Sequence, residues 1–190
     1  LKQALMKAVF LDRDGVINRD SPDYIKNWGE FEFLPSSRQA IALLCKAGFD
    51  IFVVTNQSVV GRGMVSLEAL RDMHGRMVSG IEKAGGCIKD IFFCPHRPED
   101  ACDCRKPRPG LILQAMARHG ILPAEAAMVG DSVKDMEAAN RAGLAKAVLV
   151  RTGNGAAAAN QYAAKGLKVD FVADDLLAAA RWICSQGDEG

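Results

Sequence analysis

Asp12 and Asp14 stand two positions apart, directly after the apolar run Ala8-Val9-Phe10-Leu11 and within the segment Asp12-Arg13-Asp14-Gly15-Val16. Thr55-Asn56-Gln57 follows Ile51-Phe52-Val53-Val54, and Gly130-Asp131 follows Ala127-Met128-Val129. Lys106 lies just before a helical pattern. A lone Asp-x-Asp pair is weak evidence, but four such polar groups at strand-to-helix junctions form a coherent set. A carboxylate can attack phosphorus to give an aspartyl-phosphate, which divides a hard displacement into two steps. Nucleophile and phosphate repel each other, so that chemistry needs a divalent cation and a lysine. Asp12 and Asp131 offer hard oxygen ligands suited to Mg²⁺. Asp14 is placed to protonate the leaving oxygen and then to activate water. The Thr55 hydroxyl, backbone amides around Asp14 and Asn56, and the Lys106 ammonium would cradle the transferring phosphoryl group.

A second chemistry resides in Cys94, His96, Cys102 and Cys104. Three thiolates and one imidazole fit tetrahedral Zn²⁺, and a closed set of four protein ligands implies a structural ion. Such an ion would tie down the loop that runs into Arg105-Lys106. Cys45, Cys87 and Cys184 stand alone in apolar surroundings and are expected to be small buried hydrophobes.

The elements that must position these groups alternate along the chain. Apolar runs at 8–11, 51–54, 91–93, 127–129 and 147–150 lack polar alternation, as strands covered on both faces do. A late strand is expected around 169–172. Between them, amphipathic stretches predict helices over 36–47, from Ser66 through Ile81, over 109–119, over 132–142 and over 174–185, with Ala156–Ala159 also helical. In the second helix Met73 and Met77 face the core. The fold class is α/β: a three-layer sandwich with a mainly parallel, Rossmann-like sheet, right-handed crossovers and sites beyond the carboxyl ends of the strands. The intervals from Asp12 to Thr55 and from Thr55 to Lys106 are largely filled by core elements, leaving no room for a separate cap domain. One domain over 7–185 is expected, with flexible termini at 1–6 and 186–190.

The chain has 190 residues with 24 Lys+Arg against 23 Asp+Glu, a net charge of +1, so it carries no electrostatic footprint for nucleic acid or an anionic membrane. Hydrophobic residues at 49% exclude a disordered chain. No apolar run is long enough to span a bilayer and no signal peptide is visible, so a cytoplasmic monomer acting on a small molecule is expected. His74 and His119 are expected on exposed helix faces. Trp28 with Tyr24 either packs a loop or floors a substrate site, packing being favoured. Arg62 either meets a second phosphate or is a solvated loop residue, and Thr152-Gly153-Asn154-Gly155 reads either as a phosphate loop or, the favoured reading, as a turn after a strand at the site rim.

DRDGV at 12–16, TNQ at 55–57, RKPRPG at 105–110 and GDSVKD at 130–135 resemble the four motifs of the haloacid dehalogenase superfamily phosphatases. That resemblance implies Asp12 as nucleophile and Asp14 as general acid/base, with Thr55 and Lys106 stabilising the phosphoryl group. It also implies an Mg²⁺ site of Asp12, Asp131 and the Asp14 backbone carbonyl. Asp135 either supports this site from behind or is a solvated helix residue. The arrangement CPH…CDCRKPRPG is similar to the D-glycero-D-manno-heptose 1,7-bisphosphate phosphatase branch, with histidinol-phosphate phosphatases as neighbours. This narrower resemblance implies removal of the C7 phosphate in nucleotide-activated heptose biosynthesis. It gives substrate contacts to Asp20, Ser21, Pro22, Asp23, Asn56, Gln57, Ser58 and Arg105, although Ser21-Pro22-Asp23 departs from the His-Gly-Tyr of many members. The alternatives are a histidinol-phosphate or broader sugar-phosphate phosphatase and a nucleic-acid 3′-phosphatase, the latter disfavoured by the neutral charge. A phospho-aspartate signalling receiver is disfavoured by Asp14, and a zinc-dependent interaction module leaves the strand-end motifs unexplained.

Overall fold

In the computed structural model, which describes residues 7–186, six strands form one sheet in the order β3-β2-β1-β4-β5-β6, with every adjacent pair parallel. The strands are β1 (Ala8–Leu11), β2 (Asp50–Asn56), β3 (Asp90–Cys94), β4 (Ala126–Gly130), β5 (Lys146–Val150) and β6 (Phe171–Ala173). The helices are α1 (Ser37–Lys46), α2 (Leu67–Glu82), α3 (Gly110–His119), α4 (Val133–Arg141), α5 (Gly155–Ala158) and α6 (Leu176–Ser185). Residues 1–6 and 187–190, which include most of the expected flexible termini, lie outside the described residues.

The strands are apolar throughout because each face of the sheet is covered. Val9, Leu11, Ile51 and Val53 pack with Ile41 and Leu44 of α1, Met73, Met77 and Ile81 of α2, and Ile183 of α6. The intervening residues Ala8, Phe10, Phe52 and Val54 face the other way, toward Leu111 and Ile112 of α3 and Met136 of α4. Successive strand side chains point to opposite faces, so one continuous run supplies two cores.

Local signals fix the helix starts. Ser66 accepts the Ala69 N–H at 3.1 Å, and Asp175 accepts the Ala178 N–H at 2.8 Å. At α4, the Ser132 N–H donates to the Asp135 carboxylate at 3.1 Å and the Asp135 N–H returns to Ser132 Oγ, a capping box. Between β1 and α1 the chain forms only the short 3-10 turn Trp28–Glu30, in which Trp28 stacks on Phe31 with ring centroids 4.8 Å apart. Trp28 therefore packs the loop. Among the described residues no helix is long and apolar enough to cross a membrane.

Expectations for five residues need correction. His74 is buried rather than exposed, because α2 turns it inward against Arg13 and Phe93. His119 is half-buried, its ring against Phe52 and its Nε2 3.0 Å from Asp90. Cys45 and Cys87 are not separate core residues. The end of α1 and the loop before β3 bring their sulfurs to 3.7 Å, leaving Cys87 exposed and Cys45 half-buried. Cys184 is also only half-buried.

Candidate active site

The carboxyl ends of β1, β2 and β4 open into one cleft of about 270 Å³. Asp12 follows β1, Thr55 is the last residue but one of β2 and Asp131 follows β4, while Lys106 enters from the segment before α3. The Lys106 ammonium is buried, donates a hydrogen bond to the Val54 carbonyl at 2.8 Å, and forms ion pairs with Asp12 Oδ1 at 2.9 Å and Asp135 Oδ1 at 2.6 Å. Burial opposes its charge, but the two carboxylates outweigh that and raise its pKa, so it remains a cation. Asp12 Oδ1 also accepts the Arg13 N–H at 2.7 Å. Among the described residues Oδ2 of Asp12 has no hydrogen-bond partner, so one oxygen is anchored and the other is open to the cleft.

Asp12, Asp131 and Asp135 bring carboxylate oxygens within 4.8 Å of one another. Burial and the Asp135 charge push the Asp12 carboxyl well above its usual range, and the same two causes bring Asp131 up to about 7. Crowded, buried carboxylates of this kind carry a surplus of negative charge that one lysine does not neutralise. A hard divalent cation fits them. The backbone makes room for Asp131: a Cβ at Gly15 would lie 2.1 Å from its Oδ2, and one at Gly153 would lie 2.2 Å from it. Both glycines also hold positive φ. The Asn154 N–H donates to Asp131 Oδ2 at 2.8 Å, completing the support from the turn after β5.

Asp14 turns toward Arg13, whose Nη2 lies 2.8 Å from Oδ1, while Asn18 and Gln57 donate to it at 2.9 Å and 2.8 Å. Burial works against ionisation, but Arg13 and these donors hold the carboxyl below its ordinary value. Gln57 Nε2 also donates to Thr55 Oγ1 at 2.9 Å, linking the second aspartate to the threonine. Asn56 grips the Lys106 backbone at both ends, accepting its N–H and donating to its carbonyl, each at 3.0 Å.

Beyond β3, Cys94, His96, Cys102 and Cys104 converge. The three sulfur pairs lie at 3.2–3.5 Å, and His96 Nδ1 is 3.3 Å from Cys104 Sγ. Tetrahedral zinc with Zn–S near 2.3 Å sets sulfurs about 3.8 Å apart, so the cluster is within a few tenths of an ångström of that geometry. The donor set fits a closed zinc site.

A family model described as HAD-hydrolase-like matches residues 103–179. The D-glycero-beta-D-manno-heptose-1,7-bisphosphate 7-phosphatase of Pseudomonas aeruginosa is 44% identical over 172 residues, 90% of this chain and 94% of that protein. The same-named protein of Pseudomonas putida is 46% identical over 93% of this chain and 98% of its own length. A solved D,D-heptose 1,7-bisphosphate phosphatase from B. bronchiseptica, complexed with magnesium and phosphate, matches with a TM-score of 0.89 at 40% identity, covering 95% of this chain and 99% of that one. The chain belongs to the heptose-bisphosphate 7-phosphatase family.

In this heptose-bisphosphate phosphatase family member, the structure brings Asp12, Asp14, Asp20, Ser21, Thr55, Asn56, Gln57, Ser58, Arg105, Lys106 and Asp131 to one cleft. Pro22 lies in an adjoining groove, and Asp23 lines neither space. Asp135, for which two readings stood open, is fully buried and paired with Lys106, so it is not a solvated helix residue. Arg62 lies over the Tyr24 ring, 5.6 Å from its centroid, and does not line the cleft. From sequence, Arg13 has no role of its own, His74 is expected on an exposed face, and Asn154 is favoured only as part of a rim turn. For Arg13 the available signal was a cation between two aspartates, and for Asn154 it was its place at a strand end.

Proposed function

We propose that this protein is a Mg²⁺-dependent phosphatase that removes the C7 phosphate of D-glycero-D-manno-heptose 1,7-bisphosphate, for nucleotide-activated heptose biosynthesis. The observation that carries the reaction type is Asp12, with Oδ1 tied to Lys106 and Oδ2 open toward the cleft. Full-length relatedness to proteins named for this reaction supports the substrate.

Asp12 Oδ2 attacks phosphorus and the sugar oxygen departs, leaving an aspartyl-phosphate. Lys106 faces the same carboxylate and neutralises charge on the phosphoryl oxygens, assisted by the Thr55 hydroxyl. Asp14 donates a proton to the departing oxygen. Arg13 then stabilises its ionised form, the form that removes a proton from the water attacking the phosphoenzyme. Asp12 and Asp131, backed by Asp135 and joined by the Asp14 carbonyl, would hold Mg²⁺, which when bound offsets the repulsion between nucleophile and phosphate. Cys94, His96, Cys102 and Cys104 would hold Zn²⁺, fixing the loop that delivers Arg105 to the substrate and Lys106 to Asp12.

Pairing the end of β2 with that segment through Asn56 gives Asn56 a positioning part, while Gln57, Ser58, Asp20 and Ser21 contact the sugar. Pro22 and Asp23 would then act from outside the cleft. The chain works as one monomeric domain over 7–185. A cytoplasmic setting suits thiolates that ligate a metal, because a reducing compartment keeps them free of disulfides.

The test is phosphate release from both anomers of heptose 1,7-bisphosphate and from histidinol phosphate, with and without Mg²⁺. Mg²⁺-dependent turnover of the bisphosphate with the higher kcat/KM is expected. Preference for histidinol phosphate would refute the substrate assignment.

A further inference from the structure

At the end of the sheet opposite the cleft, two thiols outside the zinc cluster face each other. Cys45 sits in the last turn of α1, just ahead of β2, and Cys87 in the segment that leads from α2 into β3. Their sulfurs are 3.7 Å apart, and backbone contacts hold them there. The Cys87 N–H donates to Cys45 Sγ at 3.1 Å, and the Cys45 S–H donates to the Cys87 carbonyl at 3.3 Å. Gly86 lets the segment come this close, because a Cβ there would lie 2.8 Å from Ile81 Cγ2 and 3.0 Å from Ile41 Cγ2. Cys87 is exposed, so an oxidant in water reaches it first. Cys45 lies half-buried behind it, burial pushing its thiol up to about 11, so it stays a thiol until its neighbour has reacted.

We propose that Cys45 and Cys87 are a redox pair, which a hydroperoxide converts into a reversible disulfide that braces the chain between them. The Cys87 thiolate attacks one peroxide oxygen and breaks the O–O bond. Its sulfur is oxidised to a sulfenic acid, and the other oxygen departs as hydroxide, which takes up the proton lost from the thiol and becomes water. The Cys45 sulfur then attacks the Cys87 sulfur to form the S–S bond, and its proton leaves with the displaced hydroxyl as a second water. A dithiol reductant restores both thiols by exchange. The two residues are 42 positions apart, and the closed loop carries β2, α2 and Thr55-Asn56-Gln57. The bond restricts the unfolded chain and leaves the cleft, at the other end of the sheet, as it was.

The experiment treats the full chain with equimolar hydrogen peroxide, blocks the remaining thiols and maps unreduced peptides by mass. A Cys45–Cys87 linkage is expected before any oxidation of Cys94, Cys102 or Cys104. It is expected to raise Tm by about 5 °C or more and to leave phosphatase turnover unchanged. Dithiothreitol is expected to return Tm to its starting value. Cys45→Ser and Cys87→Ser are each expected to keep full turnover and to lose the peroxide-induced rise in Tm. A linkage to Cys184, a dimer joined through Cys87, earlier oxidation of the zinc-loop cysteines, or a Cys45–Cys87 bond that leaves Tm where it was would each overturn the proposal.

Discussion

Arg13 and Asp14, neighbours in sequence, form a two-point ion pair within the cleft, with Nη2 of the arginine 2.8 Å from Oδ1 and 3.0 Å from Oδ2 of the aspartate. The Arg13 side chain is 1% exposed, so the pair is shielded from water on the arginine side. Arg13→Lys retains the charge but loses the planar fork and is expected to lower kcat about tenfold or more, since Asp14 loses its fixed orientation. Arg13→Met is expected to destabilise the fold by about 3–5 kcal/mol, the usual result of removing one partner of a buried pair. Steady-state kinetics and urea unfolding measure the two effects separately.

His74 lies against the same guanidinium, its Nε2 3.2 Å from Arg13 Nη1. Burial, then the Arg13 charge, takes its pKa from 6.5 down to about 3. The folded protein keeps His74 neutral while the unfolded chain protonates it below its ordinary value. Its contribution to stability is therefore complete above pH 6.5 and is lost as pH falls toward 3. Tm measured from pH 7 to pH 4 is expected to fall less steeply in His74→Gln than in the wild type. Parallel curves would show that His74 does not titrate this way.

Asp12→Asn replaces the nucleophile with an amide and is expected to reduce turnover by roughly 10⁴-fold or more. Asp14→Asn leaves Asp12 able to attack but removes the group that activates water, with an expected loss of about 10²–10⁴-fold. Rapid quench followed by intact-mass measurement is expected to detect a phosphoenzyme in Asp14→Asn and none in Asp12→Asn. Appreciable turnover by Asp12→Asn would exclude the covalent route.

Protein purified without chelator is expected to carry about one zinc per chain. Cys104→Ser is expected to lower Tm, lose that metal and lower kcat, because the loop it anchors continues directly into Arg105 and Lys106. Full zinc content in the serine variant would break the connection between this cluster and the metal.

Gly153→Ala places a methyl group 2.2 Å from Asp131 Oδ2, at a φ of +56° that disfavours a side chain. It is expected to raise the Mg²⁺ concentration needed for half-maximal activity about tenfold and to cost about 1–3 kcal/mol of stability. An unchanged metal requirement would show that Asp131 tolerates displacement.

The strands were legible because parallel strands covered on both faces need unbroken apolar runs, and Asp12, Thr55 and Asp131 could be placed from the ends of those runs. The cysteine cluster was legible from its close spacing. What stayed hidden depends on long-range contact. Cys45 and Cys87 meet across the α1 and α2 layer, and His74 looks like an ordinary polar helix residue until Arg13 arrives beneath it. Asp135 read equally well as a support of the metal site or as a solvated helix residue, because only the fold brings it to Lys106.

The pairing of β1 with β4, Leu11 opposite Val129, joins the start of the chain to its latter half. Asp12 and Asp131 therefore meet only once this long-range pairing has formed. A fragment or intermediate that lacks this pairing has a nucleophile without its opposing carboxylate. Recovery of phosphatase turnover during refolding thus serves as a clock for the closing of a long loop, one of the slower events in assembling a parallel sheet.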